Sequence, residues 1–410
     1  MDGLAGHIDQ WSGPAIGLMD LDAFFASVEQ LDHPEWRDLP VIVGSPHARG
    51  VVSTASYEAR RYGVHSAMPS SRALQLCPHA VWARPRFERY RQVSNAVMSI
   101  ILNETPRMEQ VSIDEAFFDV TPGRYDRESP IAVCERIRER VAQLGVTCSI
   151  GLGTNKTVAK IASERQKPRG LTVVPPGTEA SFLAPLPVRA LSGIGKSTER
   201  SLSAMHIRTL GQLAAQDPRD MERWFGVSGP RMLLRAQGRE RSVVRDATDH
   251  EEPKSVSNEH TFAHDLTTRA ELDAAIGNVS ERVGSRLRAK GLKGSQVTLK
   301  LKFDAIHTHT AQRQLTQATN NERVFGPVAR ELLDGLWSEG TPVRLVGVGI
   351  SSFGEIPEQL SLFAQQEVKE KEDDRQALVE VTDRLRERFG KNAITYGRDF
   401  RLSSQSPDKS

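Results

Sequence analysis

Cysteine is nearly absent: Cys77, Cys134 and Cys148 are three in number, widely spaced and without a CxxC, in a chain of 410 residues. This excludes a disulfide framework and a cysteine-based zinc site, and it fits reducing surroundings. Long apolar runs are missing too. None approaches the roughly 18 residues of a membrane span, so no membrane association is expected. The opening segment, MDGLAGHIDQ, has neither the basic nor the apolar stretch of an export signal, which makes the cytoplasm the expected location. An excess of one charge is also lacking. A formal net charge of +2 is too small to announce a polyanion binder by composition alone.

What is present is enough chain for two to four domains, at about 100 to 200 residues each. AIGLMDLDAFFASVEQ reads as a short buried strand turning at Asp22 into a helix that begins near Ala23. LPVIVGS, GVVSTAS, HAVWARP, VSIDEAFFDV and GVTCSIGLG read as further strands, with helices between them, so residues up to about 178 form an α/β or α+β domain. From 179 to about 241 short helices are punctuated by glycines. VVRDATDHEEPKSVSNEH is polar and without an apolar period, the pattern of a linker. Beyond it a helix (269–290), the strand SQVTLKLKF, a second helix (322–338) and the strand RLVGVGISSF suggest another α+β domain.

VSIDEAFFDV sets Asp114 beside Glu115 in an apolar run, and no Lys or Arg lies between Met108 and Gly123. Two carboxylates in such surroundings are costly unless something positive neutralises them. LMDLDAFF adds Asp20 and Asp22. Asp22 reads as the N-cap of the following helix. Asp20 has no comparable structural role and, with Asp114 and Glu115, offers the oxygen ligands that hard divalent cations take. Residues 114 and 115 would diverge in a regular strand, so a bend is expected there.

MDLDAFFASVEQ, STASYEARRYGV and SIDEAFFDV, in this order, resemble the catalytic motifs of the Y-family translesion DNA polymerases. The resemblance runs from about Ile16 to Phe363. It implies an α+β multidomain, right-hand polymerase: palm 1–23 and 84–178, fingers 24–83, helix-hairpin-helix thumb 179–241, linker 242–253, α+β little finger 254–355, and a clamp-binding peptide and tail over 356–410. By the same resemblance Asp20, Asp114, Glu115 and the Leu21 carbonyl bind two Mg2+ ions, with Mn2+ a possible substitute. Thr54, Tyr57, Arg60 and Lys167 contact the nucleotide phosphates, and Phe25 is the steric gate against ribonucleotides. On spacing alone Tyr57 and Arg60 fit a solvated helix face, and Phe25 fits a helix core equally well.

SGIGKS is not a P-loop, because position 190 is Ala where that motif needs Gly. Gly193, Gly195 and Lys196 instead look like a helix-hairpin-helix turn offering main-chain N–H groups to a DNA phosphate, and residues 225–238 like a weaker second copy. GLGTNKT also lacks the P-loop order and reads as a turn into the helix carrying Lys156 and Lys160. Arg282, Arg286, Arg288, Lys290, Lys293, Lys300 and Lys302 form a run without an acid, the expected backbone track for primer–template DNA. Aromatics are scarce there, which favours duplex over single strand.

Gln359-Leu360-Ser361-Leu362-Phe363 is similar to the peptide by which bacterial polymerases hold the sliding β clamp. The following DDRQALVEVTDRLRERFG reads as an amphipathic helix through Leu378, Val381, Leu385 and Phe389. The expected partners are therefore DNA, deoxynucleoside triphosphates and the clamp, for a monomeric enzyme. The alternatives are a catalytically silent DNA- and clamp-binding accessory protein, which the acid cluster disfavours, and another palm enzyme such as a nucleotide cyclase, which the basic domain disfavours.

Overall fold

The computed structural model describes residues 11–47, 49–123, 128–249, 252–354, 379, 381–390 and 393–394. The chain forms two compact units, residues 1–250 and 251–410.

The first unit contains strands β1 (Ile16–Leu21), β2 (Val41–Gly44), β3 (Val52–Ala55), β4 (Val81–Ala83), β5 (Met108–Gln110), β6 (Glu115–Asp119), β7 (Cys148–Gly153) and β8 (Leu171–Val173). Its helices are α1 (Phe24–Asp32), α2 (Tyr57–Arg60), α3 (Ser70–Leu76), α4 (Phe87–Leu102), α5 (Pro130–Gln143) and α6 (Lys156–Ser163), then α7 (Glu179–Leu183), α8 (Lys196–Ala204), α9 (Leu210–Ala214), α10 (Pro218–Phe225) and α11 (Ser228–Ala236). Five strands make one sheet in the order β5-β6-β1-β7-β8, and β3-β2-β4 make a smaller one.

Alternation along β1 decides the layers. Met19 and Leu21 enter the main core with Ala116, Phe118, Ile150 and Leu152. Ile16 and Leu18 face the other way, onto Ala159 of α6 and Val244. The helix lies almost against the strand backbone, since a Cβ on Gly151 would stand 2.1 Å from the Ala159 carbonyl oxygen. GLG is thus glycine-rich to let α6 close on the sheet.

The segment after α11 is less free than its polarity suggests. Val244 is buried, Arg245 N–H donates to Glu109 at 3.3 Å, and Ala247 N–H donates to the Pro106 carbonyl.

The second unit is built of β9 (Ser255–Leu266), α12 (Arg269–Ala289), β10 (Gly294–Lys302), β11 (Thr308–Thr319), α13 (Glu322–Leu333) and β12 (Val343–Phe353). The sheet order is β11-β10-β12-β9, antiparallel throughout. Val297, Leu299 and Leu301 alternate inward from β10 to meet Leu272, Ile276, Val279 and Phe325 of the helices. Gln296, Thr298, Lys300 and Lys302 take the opposite face. Both edge strands, β9 and β11, were invisible to the apolar pattern, and the linker reading ran through residues that begin β9. The second helix is also shorter than expected, ending at Leu333.

The helix expected near the C-terminus is present over 381–389 and docks within this unit. Its docking face differs from the apolar stripe. Asp383 pairs with Arg288 at 2.6 Å, Arg386 pairs with Glu281, and Val379 and Thr382 are buried. Val381, Leu385 and Phe389 stay exposed, while Leu378 lies outside the described residues.

Candidate active site

Asp20 ends β1 directly opposite Glu115, the first residue of β6. The expected bend lies just before it: Val111 and Ser112 N–H both donate to the Glu115 carbonyl, at 2.9 and 3.2 Å. Leu21 N–H donates to the Asp114 carbonyl at 2.9 Å, which continues the pairing by one residue.

The positive charge missing from the segment around Asp114 arrives from α6 and the loop after it. Lys160 Nζ lies 2.5 Å from Glu115 Oε1 and 3.9 Å from Asp20 Oδ2. Lys167 Nζ lies 2.8 Å from Asp20 Oδ1 and 2.8 Å from Glu164. Burial nevertheless wins at Asp20 and pushes its pKa up to about 6 against the pull of Lys167. Burial also works against the charge on Lys167, but Asp20 and Glu164 outweigh it and hold its pKa above the usual lysine value. Asp20, still penalised by burial with the Lys167 amine beside it, marks a site suited to stronger cations.

Asp114 is in place through its main chain, whereas its Oδ1 receives the Ser112 hydroxyl at 2.5 Å. Among the described residues, no three His, Cys, Asp or Glu side chains are gathered as a closed metal cage. The donor set still fits a divalent ion: hard oxygens only, half-buried, with lysine amines already occupying cationic positions.

Lys160 was missed as a functional residue. The available signal was a single cation in TVAKIAS, whose neighbours Val158, Ala159, Ile161 and Ala162 are all buried.

Asp22 is not an N-cap. Ala23 occupies that position at φ 45° with no side-chain cap. The Asp22 carboxylate is buried, 2% exposed, and accepts from Ser149 Oγ at 2.7 Å, Thr147 Oγ1 at 2.9 Å and Arg169 N–H at 2.9 Å. The Tyr57 hydroxyl stands at 3.5 Å, the outer limit of such a bond.

Tyr57 and Arg60 share α2, capped by Ser56. The Arg60 guanidinium lies 4.8 Å from the centre of the Tyr57 ring and donates to the Ala55 carbonyl at 3.0 Å. Burial, helped by the Asp22 charge, pushes the Tyr57 phenol up to about 12, so it remains a donor. Thr54, on β3, turns its hydroxyl to the Ser53 carbonyl.

Phe24 is core, 2% exposed. Phe25 is half-buried and stacks on Tyr90 with ring centres 4.3 Å apart and planes 11° from parallel. That platform is fixed from below. Tyr90 O–H donates to Glu29 at 2.6 Å, and Arg86 grips Glu29 at 2.9 and 2.8 Å. Asp32 joins Arg86 to Arg89.

The turn expected to form a helix-hairpin-helix lies between a three-residue 3-10 helix, Val188–Ala190, and α8. Gly193 takes φ 95°, Ile194 is buried, and Gly195 leads into α8 with open space where a side chain would project. Gly193, Gly195 and Lys196 are exposed. Residues 225–238, read as a weaker second copy, run from the end of α10 through Gly226, φ 58°, and α11.

The basic run divides. Arg288 is a correction: its side chain is 9% exposed and bonds Glu322 and Asp383, each at 2.6 Å. A guanidinium held by two acids between packed helices is structural and does not face a phosphate. Lys300 reaches Glu259 at 2.8 Å, and Arg286 donates to the Ser257 carbonyl. Lys290 and Lys293 are exposed, and Lys302 is half-exposed. Gln359, Leu360, Leu362 and Phe363 lie outside the described residues. No helix among the described residues is long and apolar enough to cross a membrane.

Comparison with known proteins agrees with this geometry. The family model described as the impB/mucB/samB family matches residues 19–164, and that of its C-terminal domain matches 253–362. A protein called DNA polymerase IV from Dehalococcoides mccartyi is 38% identical over 387 residues, covering 94% of this chain and 97% of its own. The DNA polymerase IV of Streptomyces coelicolor is 40% identical over 359 residues, covering 86% of this chain and 74% of its own. A solved Y-family DNA polymerase chimera superposes with a TM-score of 0.71 at 25% identity, over 83% of this chain and all of that one. With both family models matched and a relative 38% identical aligned over 97% of its length, the chain belongs to the Y family of DNA polymerases and is a DNA-directed DNA polymerase.

Proposed function

We propose that the acid edge of the five-stranded sheet is the catalytic centre of error-prone translesion DNA synthesis. The observation that carries this reading is Asp20 set opposite Glu115 across β1 and β6, with both carboxylates met by lysine amines and Asp20 still strained by burial. The five-stranded sheet acts as palm, β3-β2-β4 with its helices as fingers, α7 to α11 as thumb and the second unit as little finger.

Asp20, Asp114, Glu115 and the Leu21 carbonyl would hold two Mg2+ ions, with Mn2+ as a substitute. When bound, such ions supply activation of the primer 3′ hydroxyl and neutralisation of the triphosphate and leaving pyrophosphate. The protein's own groups do the positioning. Tyr57, Arg60, Thr54 and Lys167 bind the phosphate oxygens by charge-assisted hydrogen bonds. Lys160 pairs with Glu115 and holds its carboxylate in place. Phe25, braced by Tyr90, sits under the sugar and leaves no room for a 2′ hydroxyl.

Gly193, Gly195 and Lys196 meet DNA phosphates, and Lys290, Lys293 and Lys302 add sequence-independent attraction. Residues 359–363 tether a monomeric enzyme to the sliding clamp, which makes rebinding intramolecular.

Primer extension with Mg2+ on undamaged and lesion-bearing templates tests the reading. Templated addition across a lesion, lost in Glu115→Ala, is the expected result; extension by that variant at the wild-type rate would refute it. Replacing Leu362 and Phe363 by Ala should shorten products on clamp-loaded primers to the clamp-free length. Unaltered clamp stimulation would place the tether elsewhere.

A further inference from the structure

Asp22 differs from the acids around it. It stands two residues after Asp20, yet it is buried and surrounded by donors. All four are neutral: the hydroxyls of Thr147, Ser149 and Tyr57 and the main-chain N–H of Arg169. A buried carboxylate so surrounded fixes the groups that point at it.

Those groups come from separate parts of the first unit. Ser149 lies at the start of β7 and Thr147 immediately before it. Arg169 follows Lys167 by two residues, in the turn between α6 and β8. Tyr57 opens α2, beside the small sheet. The Ser149 hydroxyl also accepts from Gly170 N–H at 3.3 Å, a second hold on the same turn. The turn carries Lys167, whose amine lies 2.8 Å from Asp20.

We propose that Asp22 is a positioning residue for the incoming nucleotide, acting through the Lys167–Gly170 turn and through Tyr57, so that lysine and phenol converge on one triphosphate. The inference rests on the reading of Tyr57 and Lys167 as phosphate contacts. Asp22 itself touches neither substrate nor reacting atoms. Its carboxylate sets where two binding groups stand.

The test is single-nucleotide incorporation kinetics at saturating DNA. Asp22→Asn keeps the volume but turns an NH2 toward donors. It should raise KM for the nucleotide about tenfold or more, the loss expected when the charge-assisted bonds to Tyr57 and to the Arg169 N–H of the Lys167–Gly170 turn are disturbed, with kcat changed far less. Ser149→Ala removes one donor while leaving the charge, and should raise KM by a smaller factor in a chain of nearly normal melting temperature. Asp22→Asn combined with Tyr57→Phe should cost less than the product of the two single effects, because they share a route.

A merely structural role would lower the melting temperature and the active fraction with KM unchanged, and that result overturns the inference. If Asp22→Asn does not fold, an unchanged KM in Ser149→Ala overturns it equally. Should Tyr57→Phe and Lys167→Ala both leave KM unchanged, the phosphate-contact reading fails first. If they raise KM while Asp22→Asn and Ser149→Ala do not, only the positioning role is lost.

Discussion

The two larger sheets of this protein treat charge in opposite ways. In the first unit, helix α6 lies on the face that carries Asp20 and Glu115, so these acids are half-buried and each is met by a lysine. In the second unit, helices cover only the Val297–Leu299–Leu301 face of β10, and the opposite face presents Gln296, Thr298, Lys300 and Lys302. Enclosure concentrates electrostatics, because a few charges in a low-dielectric corner act strongly over a short range. An open polar face acts weakly per group, over many groups, and is screened by salt. The first arrangement suits bond-making, and the second suits holding a polyanion of any sequence.

The contrast breaks most visibly at the acids. Asp114→Ala and Glu115→Ala should each lower the incorporation rate by about a thousandfold or more, the range for removing preorganised charge stabilisation, while DNA affinity stays within a few-fold. Rapid-quench primer extension with a parallel binding assay checks this.

The second unit has one enclosed charge of its own, Arg288. Glu322→Ala leaves that guanidinium short of a partner between α12 and α13, at an expected cost of about 3 kcal/mol in stability. Denaturant unfolding should show it. A loss confined to DNA affinity would instead return Arg288 to the phosphate track.

Asp20 gives the comparison a pH axis. Its folded pKa of about 6 lies above the ordinary value of 3.8, so the folded state holds the proton more tightly. The stabilisation is present below pH 3.8 and is lost as pH rises through about 6, a change on the order of 2 kcal/mol. Melting curves without divalent ions should show wild type losing this increment relative to Asp20→Asn across that window. Added Mg2+ should recover more stability at pH 7 than at pH 5, since ion and proton compete for one carboxylate.

Smaller effects sharpen the picture. Phe25→Leu should relax discrimination against ribonucleotides about tenfold, with Tyr90→Ala acting in the same direction by removing the platform. Incorporation of paired deoxy- and ribonucleotides measures both. Least dramatic, Lys290→Ala, Lys293→Ala and Lys302→Ala should each reduce the salt slope of DNA binding by about one. Lys300→Ala should reduce it less, because Glu259 already neutralises that amine.

Much of this was legible in the sequence, for a physical reason. β1 and β7 are buried and β6 alternates, so all three are largely apolar and the acids interrupting them stand out, while the alternation of such strands with helices carried the α/β or α+β reading of this region. The edge strands β9 and β11 sit where neither face is well buried. Their residues, such as Thr308-His309-Thr310 and Gln312-Arg313-Gln314, show no period even though each strand pairs with its inner neighbour along most of its length.

Asp22 was misread because an acid before a helix satisfies a local rule, whereas its partners lie at 147, 149 and 169. Arg288 was misread for the same reason in reverse. An acid-free run says nothing about Glu322 and Asp383, which reach it from another helix and from the chain's end. Local pattern reports burial well and reports long-range charge pairing poorly.

The central claim is that chemistry resides in the enclosed acids of the first unit and grip in the open lysines of the second. The most direct measurement takes Glu115→Gln and the triple variant Lys290→Ala, Lys293→Ala, Lys302→Ala, and determines for each both the DNA Kd and the incorporation rate at saturating DNA. The account predicts a collapsed rate with near-normal Kd for the first, and a weakened Kd with near-normal rate for the second. A Glu115→Gln protein that binds DNA poorly yet extends it normally once saturated would contradict it.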